Sequence, residues 1–76
     1  MSDVRQDRRD RFKRLAEARV VRAIKELRLI GNLSNKANYA YEERDVDKII
    51  KALEAEMKAL KQRFQGGREA EIEFKL

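Results

Sequence analysis

Cysteine and histidine are absent from this chain of 76 residues, and proline and tryptophan are missing as well. The first absence excludes disulfides, and with the second it removes the soft ligands of most structural metal sites. Chains of this size stabilise a lone core only weakly, and they usually compensate with a disulfide, a metal or oligomerisation. Oligomerisation is the route that remains. The lack of proline leaves no interior helix breaker. No run approaches the roughly 18 apolar residues that span a membrane. The opening MSDVRQDRRDRFKR lacks the apolar stretch of a secretory signal, so a cytoplasmic protein without membrane contact is expected.

What the chain does have is charge. Charged residues make up 43% of it, with 19 Lys and Arg against 14 Asp and Glu, a net charge of +5. That composition, rich in helix formers, belongs to long helices rather than to a mixed sheet fold.

Two heptad-patterned segments, residues 12–30 and 46–64, flank the unlike stretch GNLSNKANYAY at residues 31–41. In the first, Phe12, Ala16, Val20, Ala23, Ile24, Leu27 and Ile30 recur every three or four positions, one side of a helix at about 100° per residue. Asp3 is the expected N-cap, with Gln6 as its capping-box partner. Gly31 stands where a left-handed C′ residue would close the helix. In the second segment Val46, Ile49, Ile50, Leu53, Met57, Leu60 and Phe64 form a cleaner stripe. Asp45 is the expected N-cap there, and Gly66-Gly67 the stop.

The tail, residues 68–76, changes period. Ile72, Phe74 and Leu76 alternate with Glu71, Glu73 and Lys75, the pattern of a half-buried strand that needs a partner to pair with. Disorder is the alternative reading of that tail.

The expected architecture is therefore all-α and a single domain, 1–76. Helix 3–30 and helix 45–65 form an antiparallel hairpin joined by a long ordered loop, 31–44, and followed by a short strand-like or disordered tail. At about 1.5 Å per residue the helices run roughly 42 Å and 30 Å. Aligned from the loop, Phe64 comes level with Phe12, and the first helix overhangs as an Arg-rich arm. Leu15, Val21 and Leu29 widen its apolar surface, which two hairpins would cover by dimerising into a four-helix bundle.

Three surfaces are candidates for binding. The basic arm carries Arg5, Arg8, Arg9, Arg11, Lys13 and Arg14, continued by Arg19, Arg22, Lys25 and Arg28. Arg8, Arg11 and Arg14, then Arg22 and Lys25, are expected away from the core stripe. Guanidinium groups repeated along a straight helix can meet successive phosphates of DNA or RNA without reading sequence. The alternative is a solvated face diluted by Asp7, Asp10, Glu17 and Glu26. Away from the core stripe, the arm carries no aromatic residue as a platform for stacked single-stranded bases.

The loop is longer than the about 2–8 residues common between bundle helices. Asn32, Ser34, Asn35 and Asn38 can bond local backbone, and Leu33, Tyr39 and Tyr41 can anchor it. It reads either as a plug over the bundle end or as a protein-binding surface in which Leu33, Lys36, Tyr39 and Tyr41 meet a partner. In the tail, Ile72, Phe74 and Leu76 could add to another protein's sheet edge, pair with a second copy, or fold back.

For catalysis the chain offers only Asp, Glu, Lys, Ser and Tyr, with no buried pocket implied and no phosphate-cradling glycine motif. No enzyme activity, cofactor or metal is expected. The expectation is a small basic binding protein that self-associates and contacts nucleic-acid phosphates. The alternative is a protein–protein module or inhibitor acting through the Tyr loop or the tail.

The segments IGNLSN at residues 30–35, NYAY at 38–41 and DVDKI at 45–49 resemble a group of short prokaryotic helical-hairpin proteins also carried by phages and plasmids. That resemblance implies a bacterial or mobile-element setting and carries no activity.

Overall fold

The computed structural model describes residues 3–66 and 72–76. Among them the chain is helical, without a strand. The order is α1 (Val4–Gly31), one 3-10 turn (Asn32–Ser34) and α2 (Glu43–Phe64). Contacts divide the chain into two compact units, Met1–Tyr39 and Ala40–Leu76, which are described in turn.

In the first unit, Asp3 caps α1 as its sequence position suggests. Its Oδ1 accepts from the backbone amides of Arg5 at 3.0 Å and Gln6 at 3.3 Å, so two of the helix's orphan donors are satisfied. Gln6 does not complete a capping box. Its side-chain amide donates forward to Asp10 Oδ1 at 3.0 Å, because residues four apart are surface neighbours on a helix.

The expected left-handed Gly31 is also corrected. Its φ of −58° and ψ of −31° are right-handed helical, and α1 runs through it into the 3-10 turn. The Asn32 amide closes the end by donating towards the carbonyls of Arg28 and Leu29.

Beyond the turn, Asn35 organises the connection. Its side-chain oxygen accepts from the Ala37 amide at 3.0 Å. Its carbonyl accepts from the amides of Asn38 at 3.1 Å and Tyr39 at 3.0 Å. One residue thus supplies both an Asx turn and a backbone turn, which gives the expected ordered loop its physical basis.

In the second unit, α2 begins two residues before the position expected. The N-cap is Glu42, not Asp45, and Asp45 lies at the third helical position. From there its Oδ2 accepts the Glu42 amide at 2.9 Å. Glu42 is held in turn by Arg44, whose Nε lies 2.7 Å from its carboxylate. Three acids within four residues compete for the cap, and the one that can reach back over a formed first turn decides where the helix starts.

At the other end Gly66 takes φ +97°, just past the C-cap Gln65. It is the left-handed glycine that ends a helix. Gly67, the other half of the expected stop, lies outside the described residues.

Residues 72–76 form no strand within this chain; residues 68–71 of the expected strand-like or disordered tail lie outside the described residues. The end of the tail meets α2 instead: Lys48 Nζ donates to the Leu76 main-chain oxygen at 3.2 Å. The alternation of Ile72, Phe74 and Leu76 is local, whereas a strand requires a second backbone to pair with.

No described residue is buried. In α1 only Leu15 and Ala16 are half-buried, and Phe12, Val20, Ile24 and Leu27 of the expected core stripe stay exposed. In α2 the half-buried residues are Asp45, Ile49, Ala52, Leu53 and Ala59. At about 100° per residue Leu53 and Ile49 belong to the apolar stripe, while Asp45, Ala52 and Ala59 lie on the flank towards Lys48. The stripe itself is open, with Met57 64% and Phe64 75% exposed.

Candidate nucleic-acid interface

Charge is divided unevenly between the two units. Residues 1–39 carry eleven Lys and Arg against five Asp and Glu, and residues 40–76 carry eight against nine. The positive excess of the whole chain therefore resides in the unit built on α1.

On α1 the helical phase sorts the candidate residues. Arg11, Arg14, Arg22 and Lys25 fall within an arc of about 80°, with Arg8 about 40° beyond it. All five are exposed. Arg11, Arg14, Arg22 and Lys25 make no ion pair with another described residue. Arg11 to Lys25 spans roughly 21 Å of axis at about 1.5 Å per residue. That reach covers several phosphates of a duplex, whose spacing is about 1.7 Å of axis per charge. Asp7 lies in the same arc, one turn before Arg11, and dilutes its N-terminal end.

Arg5 and Arg9 do not share this face. Both fall on the side of Phe12, and the Arg9 guanidinium carbon lies 5.9 Å from the centre of the Phe12 ring. That distance fits a cation–π contact, which holds the charge along the helix surface. The basic residues of α1 thus do not form one face: four share an arc, Arg5 and Arg9 lie on the side of Phe12, and Lys13 and Arg28 fall in neither group. The signal that could have found this was present: Arg9 and Phe12 are three apart, neighbours on one face.

The other candidates are scattered. Leu33 and Tyr39 are exposed within the first unit, and Tyr41 is half-buried in the second. Lys36 is in the turn that Asn35 organises. Ile72, Phe74 and Leu76 are exposed, with Ile72 at 83%. Sequence reading missed Lys48, the residue that receives the end of the tail; nothing local marks a contact between residues 28 apart.

Among the described residues, no group of His, Cys, Asp or Glu could hold a metal ion. No helix among them is long and apolar enough to cross a membrane. Comparison with protein families, with curated proteins and with solved structures finds no match to this chain.

Proposed function

We propose that this chain is a non-enzymatic, cytoplasmic, basic binding protein that contacts the phosphates of DNA or RNA through the exposed arc of α1. The observation that carries this reading is the concentration of positive charge on one helix. Arg11, Arg14, Arg22 and Lys25 line one face without ion-pair partners among the described residues, in a unit with more than twice as many basic as acidic residues. Arg is suited to this task because its planar fork bonds two phosphate oxygens and stays charged in every physiological condition. Contacts of this kind position a protein on the backbone and carry no sequence information.

Self-association belongs to the same reading. A chain that buries none of its described residues gains little from apolar burial by itself. An antiparallel hairpin of α1 and α2, with Phe12 level with Phe64 and two hairpins forming a four-helix bundle, would cover the stripes on both helices.

A salt titration of binding to duplex DNA and RNA tests the proposal. Changing Arg11, Arg14 and Arg22 together to Gln should weaken binding to all sequences alike. The log–log salt slope should fall by about 0.9 for each contact removed. Gln is nearly as good a helix former as Arg, so helicity should hold. Binding unaltered by the triple change would defeat the proposal.

The rival reading is a protein–protein module, and the exposure of Ile72, Phe74, Leu76, Leu33 and Tyr39 favours it. It predicts the reverse pattern, with partner binding surviving the Arg changes and failing on Tyr39→Ala, Tyr41→Ala or removal of residues 71–76.

A further inference from the structure

The apolar stripe of α2 keeps a strict heptad. Val46, Ile50, Leu53, Met57, Leu60 and Phe64 follow one another at spacings of four, three, four, three and four, inside one uninterrupted helix. Val46, Leu53 and Leu60 take the d positions, and Ile50, Met57 and Phe64 the a positions. Spacing of 3.5 residues on average is the period of a left-handed coiled coil. Leu53 is half-buried and the other five are exposed. The stripe therefore stands ready for a helix of matching period.

We infer that residues 46–64 of α2 pair with the same residues of a second copy, in parallel and in register. Charges beside the stripe select this arrangement. In a parallel pair, a g position faces the e position five residues later on the partner helix. Glu56 is at g and Lys61 at e, so both symmetry-related contacts are attractive. Ile49 at g faces Glu54 at e, a neutral pairing, and Asp47 at e faces the N-cap Glu42, a like-charge contact confined to the N-terminal end of the seam.

The antiparallel alternative that uses all six stripe residues pairs Val46 with Phe64, Ile50 with Leu60 and Leu53 with Met57. It brings e against e and g against g. Asp47 then meets Lys61 favourably at both ends, but Glu54 meets Glu54 and Glu56 meets Glu56 beside the two-fold axis. Like charges opposed at a seam disfavour it. At the centre of the stripe, Ile50 at a with Leu53 at d also suits a parallel two-stranded coil, while Met57 and Phe64 fill the other a positions and Val46 the first d.

The pairing specifies the self-association included in the proposed function and rests on that part of it alone. In this pairing the α2 stripe meets its own copy rather than α1, so the parallel seam is an alternative to the four-helix bundle as the form of that self-association. It also has a consequence for binding. Unit 1 joins α2 at its N-terminal end, so a parallel pair attaches both copies of the Arg-bearing helix at the same end. Two arms tethered together bind one nucleic acid with higher avidity than either alone.

Because the chain has no cysteine, single-cysteine variants of the full chain report the arrangement directly. Under mild oxidation V46C and F64C should each form a covalent homodimer, faster than the outward-facing control K51C. Sedimentation equilibrium without nucleic acid should show dimers whose dissociation constant rises roughly tenfold in E56K and again in K61E. The double variant E56K/K61E should return to the wild-type value, because the g–e pairs are restored with their signs exchanged. Dimers that link only V46C to F64C would overturn the parallel seam while leaving self-association intact. A chain that stays monomeric at high micromolar concentration, with V46C linking no faster than K51C, would overturn both. Neither result bears on phosphate binding, which the salt titration reads separately.

Discussion

The carboxylate of Asp45 accepts the backbone amide of Glu42 at 2.9 Å, across the first turn of α2. This contact starts the helix at Glu43 rather than two residues later, and it satisfies a donor that would otherwise face solvent alone. Asp45 is also half-buried where most of α2 is exposed.

Replacing Asp45 with Ala should therefore lower stability by about 1 kcal/mol. Asn keeps an acceptor and should lose less. Circular dichroism melts at fixed protein concentration make the comparison, since association shifts the midpoint with concentration. Identical melts for wild type and Asp45→Ala would show that Glu42 or Glu43 serves as well.

The two helix-terminal glycines should respond oppositely to Ala. Gly31 has helical angles, and nothing within 4 Å would meet an added Cβ, so Gly31→Ala should stabilise by about 0.5–1 kcal/mol. Gly66 also has open space, yet its φ of +97° strains any L side chain, and Gly66→Ala should destabilise by about 1–2 kcal/mol. Denaturant midpoints of the two variants should shift in opposite directions.

Asn35 should govern the order of the connection. With Asn35→Ala the Ala37 amide loses its side-chain acceptor, and hydrogen exchange at that amide should accelerate. The Asn38 and Tyr39 amides donate to the Asn35 carbonyl, so they should be affected less. A net cost of about 0.5–1.5 kcal/mol is expected for one hydrogen bond. Asn35→Asp, which retains the acceptor, should preserve protection at Ala37.

Arg5 and Arg9 should contribute less to phosphate binding than Arg11 and Arg14, because they face the Phe12 side of α1. The double change of Arg5 and Arg9 to Gln should reduce the salt slope by less than the same change at Arg11 and Arg14. Equal reductions would mean that the nucleic acid wraps the helix rather than lying along one arc.

Both helices could be read from the sequence, because a period of three and four residues arises from contacts within each helix. Asp3 was legible as a cap for the same reason: its acceptors serve amides two and three residues on. The start of α2 was not, since Glu42, Glu43 and Asp45 are all chemically able to cap. Only the backbone path decides which of them reaches an open amide. Composition alone likewise could not tell Gly31 from Gly66. Each follows an apolar stripe, and the difference lies in whether the chain beyond continues to wind. The basic arm was evident as charge, but its division into an exposed arc and an Arg9–Phe12 contact depends on helical phase and side-chain placement. The tail shows the limit most clearly. Its alternating pattern is a local property, whereas a strand needs a second backbone. The bond from Lys48 to Leu76 joins residues 28 apart, and such a distance in sequence becomes a contact only through the three-dimensional path of the chain.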